Sequence, residues 1–233
     1  MAWFKVVYDN RSNDPEGLSD WGFSCFIKGK QGDLLFDTGA KPEVLSSNLL
    51  NCGLKEKDCS HVFISHDHWD HTDGLPALCP SRCWIPSSSI ESLGPRVESL
   101  GAVYSGEKNK QEILPGMWST GLLDGGELPE QALVVETKSG LVVLTGCAHP
   151  GVLEIIEHVT ESFGEVPFCL MGGFHLYESS DDEIGRIIRA LLQHKISCVG
   201  PCHCTGEKAI AAMKKAWGDN CFDITVGWEK TIE

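Results

Sequence analysis

Directly after the apolar run Val62-Phe63-Ile64, the segment Ser65-His66-Asp67-His68-Trp69-Asp70-His71 places three imidazoles and two carboxylates within six consecutive positions. The apolar run reads as a buried strand, which puts the cluster at that strand's carboxyl end, where α/β folds carry their chemistry. Imidazole and carboxylate are ligand types that suit zinc, iron and manganese. Without a cation, His66, His68, Asp70 and His71 would compete for protons at close quarters. The pattern His-x-His-x-Asp-His therefore constrains the fold to one that surrounds a metal with strand ends.

Ligands from other segments should then follow other strands. His149 lies in Thr145-Gly146-Cys147-Ala148-His149-Pro150-Gly151, between a β-rich run and a helix. His175 lies in Gly172-Gly173-Phe174-His175-Leu176, and His203 in Cys202-His203-Cys204-Thr205-Gly206, each just past a strand. His66, His68 and His149 make a three-nitrogen set with room for water, and Asp70, His71 and His203 a second, harder set. Two divalent ions ~3.5–4 Å apart would share a bridging hydroxide and polarise a substrate oxygen. Asp37, at the end of Leu34-Leu35-Phe36, is placed to accept a proton from a ligand imidazole and fix its tautomer. His61, His158 and His194 read as ordinary edge or surface residues. Cys202 and Cys204 flank His203 in what reads as an extended segment, so their side chains are expected to pack on the opposite face. Cys79 and Cys83 read as structural thiols.

The surrounding pattern is strand-rich, then alternating. Trp21 to Lys28 and Asp33 to Phe36 flank a Gly29–Gly32 turn, and Pro42 to Leu50 reads as a helix closing near Gly53. From Pro80 to about Gly126, Pro, Gly and Ser recur with weak periodicity, which predicts irregular loops around a substrate pocket. Ala132 to Thr137 and Leu141 to Thr145 form a hairpin. Val152, Ile155, Ile156, Val159 and Phe163 make a helical stripe. A second helix starts at the capping box Ser180-x-x-Glu183, and Thr205 is expected to cap a third, with Ala209, Ile210, Met213 and Trp217 inward. Phe168 to Met171, Ile196 to Val199 and Phe222 to Val226 read as strands. Two sheets flanked by helices on both outer faces fit this order better than a doubly wound sheet.

The chain has 233 residues, 42% hydrophobic, and a formal charge of −14. The length fits one large domain, residues 1–233. The charge argues against a phosphate-backbone partner, so a small-molecule substrate is expected and nucleic acid is not. The amino terminus reads as a strand and not as a signal peptide, and no apolar stretch reaches the ~18 residues a membrane helix needs. The eleven cysteines then read as reduced thiols in a cytoplasmic protein. The oligomeric state is not legible.

Four blocks carry a resemblance: Asp37-Thr38-Gly39, Ser65 to Thr72, Thr145 to His149, and the pair Gly172–Leu176 with Cys202–Gly206. The chain resembles the metallo-β-lactamase fold superfamily, and within it the group of 7,8-dihydropterin-6-methyl-4-(β-D-ribofuranosyl)aminobenzene 5′-phosphate synthases. That resemblance implies an α/β (α+β) fold, a four-layer αβ/βα sandwich, and a dinuclear site on His66, His68, Asp70, His71, His149 and His203. Zinc is the expected metal, with iron or manganese as alternatives. It also implies a hydrolase whose metal-held hydroxide attacks an ester, lactone or phosphoester, on a pterin- or phosphate-containing small molecule. A diiron redox protein and a non-catalytic ligand sensor are the competing readings. The chain departs from the superfamily at one telling place: no Asp occurs between Val166 and Ser180, so the usual bridging carboxylate is missing. His175 stands there instead, as a ligand or as a proton-transfer group. Asp70 and His175 are thus the candidate catalytic residues. Asp73 and Cys202 stand where the group more often has Gly.

Overall fold

In the strand Gly140–Thr145, Val142 and Leu144 face one way and Leu141 and Val143 the other, and all four are buried. A strand whose two faces are both apolar has to lie between two layers. The computed structural model, which describes residues 1–126 and 128–233, has that layering throughout. In chain order its elements are β1 (Ala2–Tyr8), β2 (Ser24–Lys28), β3 (Asp33–Phe36), α1 (Pro42–Asn51), β4 (His61–Phe63), α2 (Trp69–Thr72), β5 (Arg82–Trp84) and α3 (Ile90–Ser99). There follow β6 (Val103–Ser105), β7 (Gln111–Leu114), β8 (Met117–Ser119), β9 (Leu133–Thr137), β10 (Gly140–Thr145), α4 (Val152–Phe163), β11 (Cys169–Gly173), α5 (Asp181–Gln193), β12 (Cys198–Cys202), α6 (Glu207–Trp217) and β13 (Glu229–Ile232).

One sheet has the order β13-β1-β2-β3-β4-β5-β6, and the other β12-β11-β10-β9-β8-β7. Each is mixed. Strands β3 to β6 run parallel in the first, and β10 to β12 run parallel in the second. Phe4, Val6, Ile27, Phe36 and Phe63 of the first sheet meet Leu133, Val142, Leu144 and Met171 of the second in a central core. Outside the first sheet, Leu35 and Val62 pack against Leu45 and Leu49 of α1 and Leu93 and Val97 of α3. Outside the second, Val143 and Leu170 pack against Ile155 and Ile156 of α4, Ile184 and Leu191 of α5 and Met213 of α6. This is the four-layer αβ/βα sandwich.

Several local expectations need correcting. The stretch from Pro80 to Gly126 is not merely irregular: it carries α3 and strands β5 to β8. The Gly94-Pro95 pair inside α3 masks the helix in the sequence, because Pro removes an intrahelical donor. The glycine is required there, since a Cβ would stand 2.8 Å from the Tyr104 ring. Phe222 to Val226 is not a strand. It forms only isolated bridges (Val226 to Ser12, Cys221 next to it to Val199), while β13 closes the first sheet against β1. Thr205 does not cap α6. The cap residue is Gly206, and the Thr205 hydroxyl instead accepts the Phe174 N–H at 3.0 Å. Ser180 does cap α5, accepting the Glu183 N–H at 3.2 Å. Among the described residues, no helix is long and apolar enough to cross a membrane.

Candidate metal centre

Parallel strands deliver their carboxyl ends to one rim. In the first sheet, β3 leads into Asp37 and β4 into the His66–His71 segment. In the second, β10, β11 and β12 lead into His149, His175 and His203. Among the described residues, five non-glycine residues have φ in the left-handed range, and four of them, Asp37, Ala148, His175 and His203, stand at or beside these strand ends. Each such residue costs about 1–3 kcal/mol and persists only where its surroundings fix it. The rim is therefore held in a set shape by the folded sheets.

The donors fall into groups. His66, His68 and His149 each offer a nitrogen within 4.8 Å of the others, and so do the donor atoms of Asp70, His71, Cys147 and His203. The rings of His66 and His71 join the groups, with centroids 4.2 Å apart. In the second group, His71 Nε2 lies 3.2 Å from His203 Nε2, 3.7 Å from Asp70 Oδ2 and 3.3 Å from Cys147 Sγ. Asp70 Oδ2 is also 3.2 Å from His203 Nε2.

Hydrogen bonds behind these rings decide their tautomers. Asp37 is fully buried. Its Oδ1 accepts the Ser65 N–H, and its Oδ2 accepts both the Ser65 hydroxyl and His71 Nδ1–H, each at 2.7 Å. Since Ser65 gives its only proton to Asp37, it must accept from His66 Nδ1–H, 2.9 Å away. Asn10 Oδ1 accepts His203 Nδ1–H and the Gly22 N–H, both at 3.0 Å. In all three rings the proton is thus on Nδ1 and the lone pair on Nε2. His66 Nε2 and both ring nitrogens of His149 are buried with no hydrogen-bond partner. Lone pairs on His71 and His203 face each other at 3.2 Å, beside a carboxylate. With both rings neutral that contact is repulsive, and either a proton on His71 Nε2 or a metal ion relieves it; the buried, unpartnered nitrogens of His66 and His149 are what make the residues fit a metal.

Electrostatics agree. Burial pushes the His66 imidazole well below its ordinary pKa and holds His149 down to about 4, with neighbouring histidines adding to both. These rings stay neutral, as metal ligands must. Burial would raise Asp70, but His203 and His71 outweigh it and keep the carboxylate ionised. For His71, burial pushes down and the Asp37 carboxylate overrides it, lifting the ring to about 9 in the metal-free protein.

All six expected ligand residues therefore reach one rim, and Asp37 stands behind His71. His175 enters neither group. Its ring is 4.6 Å from that of His149, and its donor atom lies with Cys147 and Cys204. Three residues the sequence reading passed over also matter. Glu130, fully buried, accepts the N–H groups of Gly146, Cys147 and Ala148 on Oε1 and of His149 on Oε2, at 2.8 to 3.1 Å. This fixes the loop that carries His149. Cys147 brings a sulfur into the second group, and its position two residues before His149 was the only hint. Asn10, just past β1, orients His203. Cys204 needs a correction too. The segment after Cys202 is a 3₁₀ turn (His203–Thr205) rather than an extended one, so the Cys204 thiol turns toward Cys147 and His175 while Cys202 packs in the core. His61, His158 and His194 all lie outside these groups. Cys83 is buried in the packing against α1 and α3, and Cys79 is exposed.

The family description "Metallo-beta-lactamase superfamily" matches residues 22–184. The chain belongs to the metallo-beta-lactamase superfamily. Its fold is that of the superfamily's metal-dependent hydrolases, and it is an enzyme of that type. Across this superfamily member, 82% of the chain aligns at 24% identity with 83% of a Methanocaldococcus jannaschii protein named 7,8-dihydropterin-6-methyl-4-(beta-D-ribofuranosyl)-aminobenzene-5'-phosphate synthase. Among solved structures, Tm1679, described as a metal-dependent hydrolase of the beta-lactamase superfamily, is 29% identical with a TM-score of 0.81, covering 100% of this chain and 99% of that one. The metallo-beta-lactamase fold protein YhfI from Bacillus subtilis superposes with a TM-score of 0.72 at 13% identity, over 99% and 100% of the two chains, which speaks to fold alone.

Proposed function

We propose that this protein hydrolyses an ester, lactone or phosphoester bond in a small molecule, using two divalent ions, with zinc as the first choice. The observation that carries the reading is the convergence of buried Nε2 lone pairs, from both sheets, on a space beside an ionised Asp70. His66, His68 and His149 would hold one ion, and Asp70, His71 and His203 the other. Bound there, divalent ions supply Lewis acidity and make water nucleophilic near neutral pH.

The chain's own residues do the rest. Asp37 and Ser65 keep His71 and His66 in the tautomer that offers Nε2, and Asn10 does the same for His203. Asp70, kept anionic by the two imidazoles beside it, would hold the second ion and is the carboxylate assigned to orient the attacking water. Glu130 pins the Gly146–His149 backbone so that His149 does not drift when a substrate enters. His68 is only partly buried, which leaves the first donor group within reach of solvent. The relative's name makes a phosphorylated pterin-type compound one of the first substrates to try.

The test is metal content together with turnover. Protein purified without added metal is analysed for elements, then assayed on aryl phosphodiesters, lactones and pterin phosphates before and after chelation. His68→Ala should lose bound metal and turnover while keeping its circular dichroism spectrum. Full activity and full metal content in that variant would overturn the assignment.

A further inference from the structure

Adjoining the second donor group, and sharing Cys147 with it, lies a third cluster that includes none of the six assigned ligands. The Cys147 and Cys204 sulfurs and a His175 ring nitrogen all lie within 4.8 Å of one another. Both cysteines are free and buried, with Cys204 Sγ 3.7 Å from the Cys147 carbonyl oxygen. His175 is exposed, and it lines a cavity of about 220 Å³ together with His149, Pro150 and Phe174. The cavity reaches the His175 member of the cluster, and the two sulfurs lie buried behind it.

The backbone is shaped around the thiols. Gly173 ends β11 where a Cβ would stand 2.5 Å from Cys204 Sγ. His175 and His203 adopt φ of 52° and 49°, which turns the chain so that the imidazole of one and the thiol following the other converge. Around a tetrahedral zinc-sized ion, sulfur and nitrogen donors stand ~3.5–3.8 Å apart, given bond lengths of ~2.0–2.3 Å. Small rotations of three side chains close the observed spacing to that value.

We propose that Cys147, His175 and Cys204 form a separate binding site for a soft divalent ion, adjoining the imidazole–carboxylate centre and sharing the Cys147 sulfur with it. Thiolate donors select soft ions such as zinc and cadmium over magnesium, calcium or manganese. Loading exchanges two S–H bonds for two S–metal bonds and releases two protons to the buffer, with no change in oxidation state. Three protein donors would leave a fourth position for water or a substrate atom.

The experiment is a cadmium(II) titration of the reduced full chain, read by ultraviolet sulfur-to-metal charge-transfer absorption and by cadmium content per chain. The exposed Cys79 is removed as a background ligand by Cys79→Ser, which should leave the band unchanged. Cys204→Ser in that background should lose one cadmium per chain and at least half of the band. His175→Ala, at an exposed position, should also lose that ion, and it serves if Cys204→Ser does not fold. His68→Ala should lose a different ion and keep the band, so failure of the hydrolytic reading is told apart from failure of this one. A band that is absent, or equally strong with and without Cys204 and His175, overturns the proposal.

Discussion

Replacing Asp37 by Asn changes one atom and tests the tautomer argument directly. An amide has one acceptor and one donor, but three donors meet this carboxylate: the Ser65 N–H on Oδ1, and the Ser65 hydroxyl and His71 Nδ1–H on Oδ2. The backbone N–H cannot turn away, so the amide oxygen must stay with it, and the NH₂ then faces His71. The Ser65 hydroxyl can rotate. His71 can satisfy the NH₂ only by moving its proton to Nε2, the atom that faces His203, Asp70 and Cys147. An ion in the second group must then displace that proton. Changes behind a ligand of this kind weaken metal binding ~10–100-fold, or about 1.4–2.7 kcal/mol, and the first group should be affected less. Calorimetric titration with zinc measures both steps.

The metal-free protein offers an independent reading of the same pair. Burial pushes His71 down, but Asp37, helped by Asp70 and Glu130, overrides it and raises the ring from 6.5 to about 9 in the folded state. A raised folded pKa stabilises the protein fully below the unfolded value, and the benefit is lost as pH rises through about 9. The shift corresponds to about 3 kcal/mol. Metal-free Asp37→Asn should therefore lose on the order of 3 kcal/mol of unfolding free energy at pH 6 and much less at pH 10, in urea melts. Unchanged zinc affinity together with a pH-independent stability difference would refute the reasoning.

Gly173→Ala forces a Cβ to within 2.5 Å of Cys204 Sγ and should cost about 1–3 kcal/mol as overpacking, read as a lowered melting temperature. Ser180→Ala removes the side-chain cap on α5 while leaving every donor residue in place. It should cost about 1 kcal/mol with no change in metal content by elemental analysis. Chelation should lower the thermal midpoint, and returning zinc to ~100 times its dissociation constant should restore about 2.7 kcal/mol. A midpoint indifferent to chelation would mean that the donors hold no ion in the folded protein.

What could be read from the chain, and what could not, divides along physical lines. The His66–His71 segment announces itself because its donors are contiguous and few other roles need them. Helices α4, α5 and α6 are legible because one face of each is a long apolar stripe. Helix α3 hides behind Gly94-Pro95, where packing of Leu93 and Val97 overrides a breaking signal. Strand β13 hides because it is an edge strand: Glu229, Lys230 and Thr231 are exposed and only Ile232 is buried. Glu130 was invisible for another reason: nothing in its neighbours marks it. Asn10 lies in Val7-Tyr8-Asp9-Asn10, a segment similar to the family group, but its role toward His203, like that of Glu130 toward His149, arises only when loops distant in sequence are brought to one rim. Cys204 was misplaced because the reading assumed an extended backbone where the chain turns.

The two sheets meet at that rim as well as in the core. The first supplies His66, His68, Asp70 and His71, and the second supplies Cys147, His149 and His203. Asp9, just past β1, even reaches across to accept the His203 N–H at 3.1 Å. An ion seated among these donors acts as a rivet through the seam of the sandwich, so its departure would slacken the join between the halves while leaving each half's own ladder of strands intact.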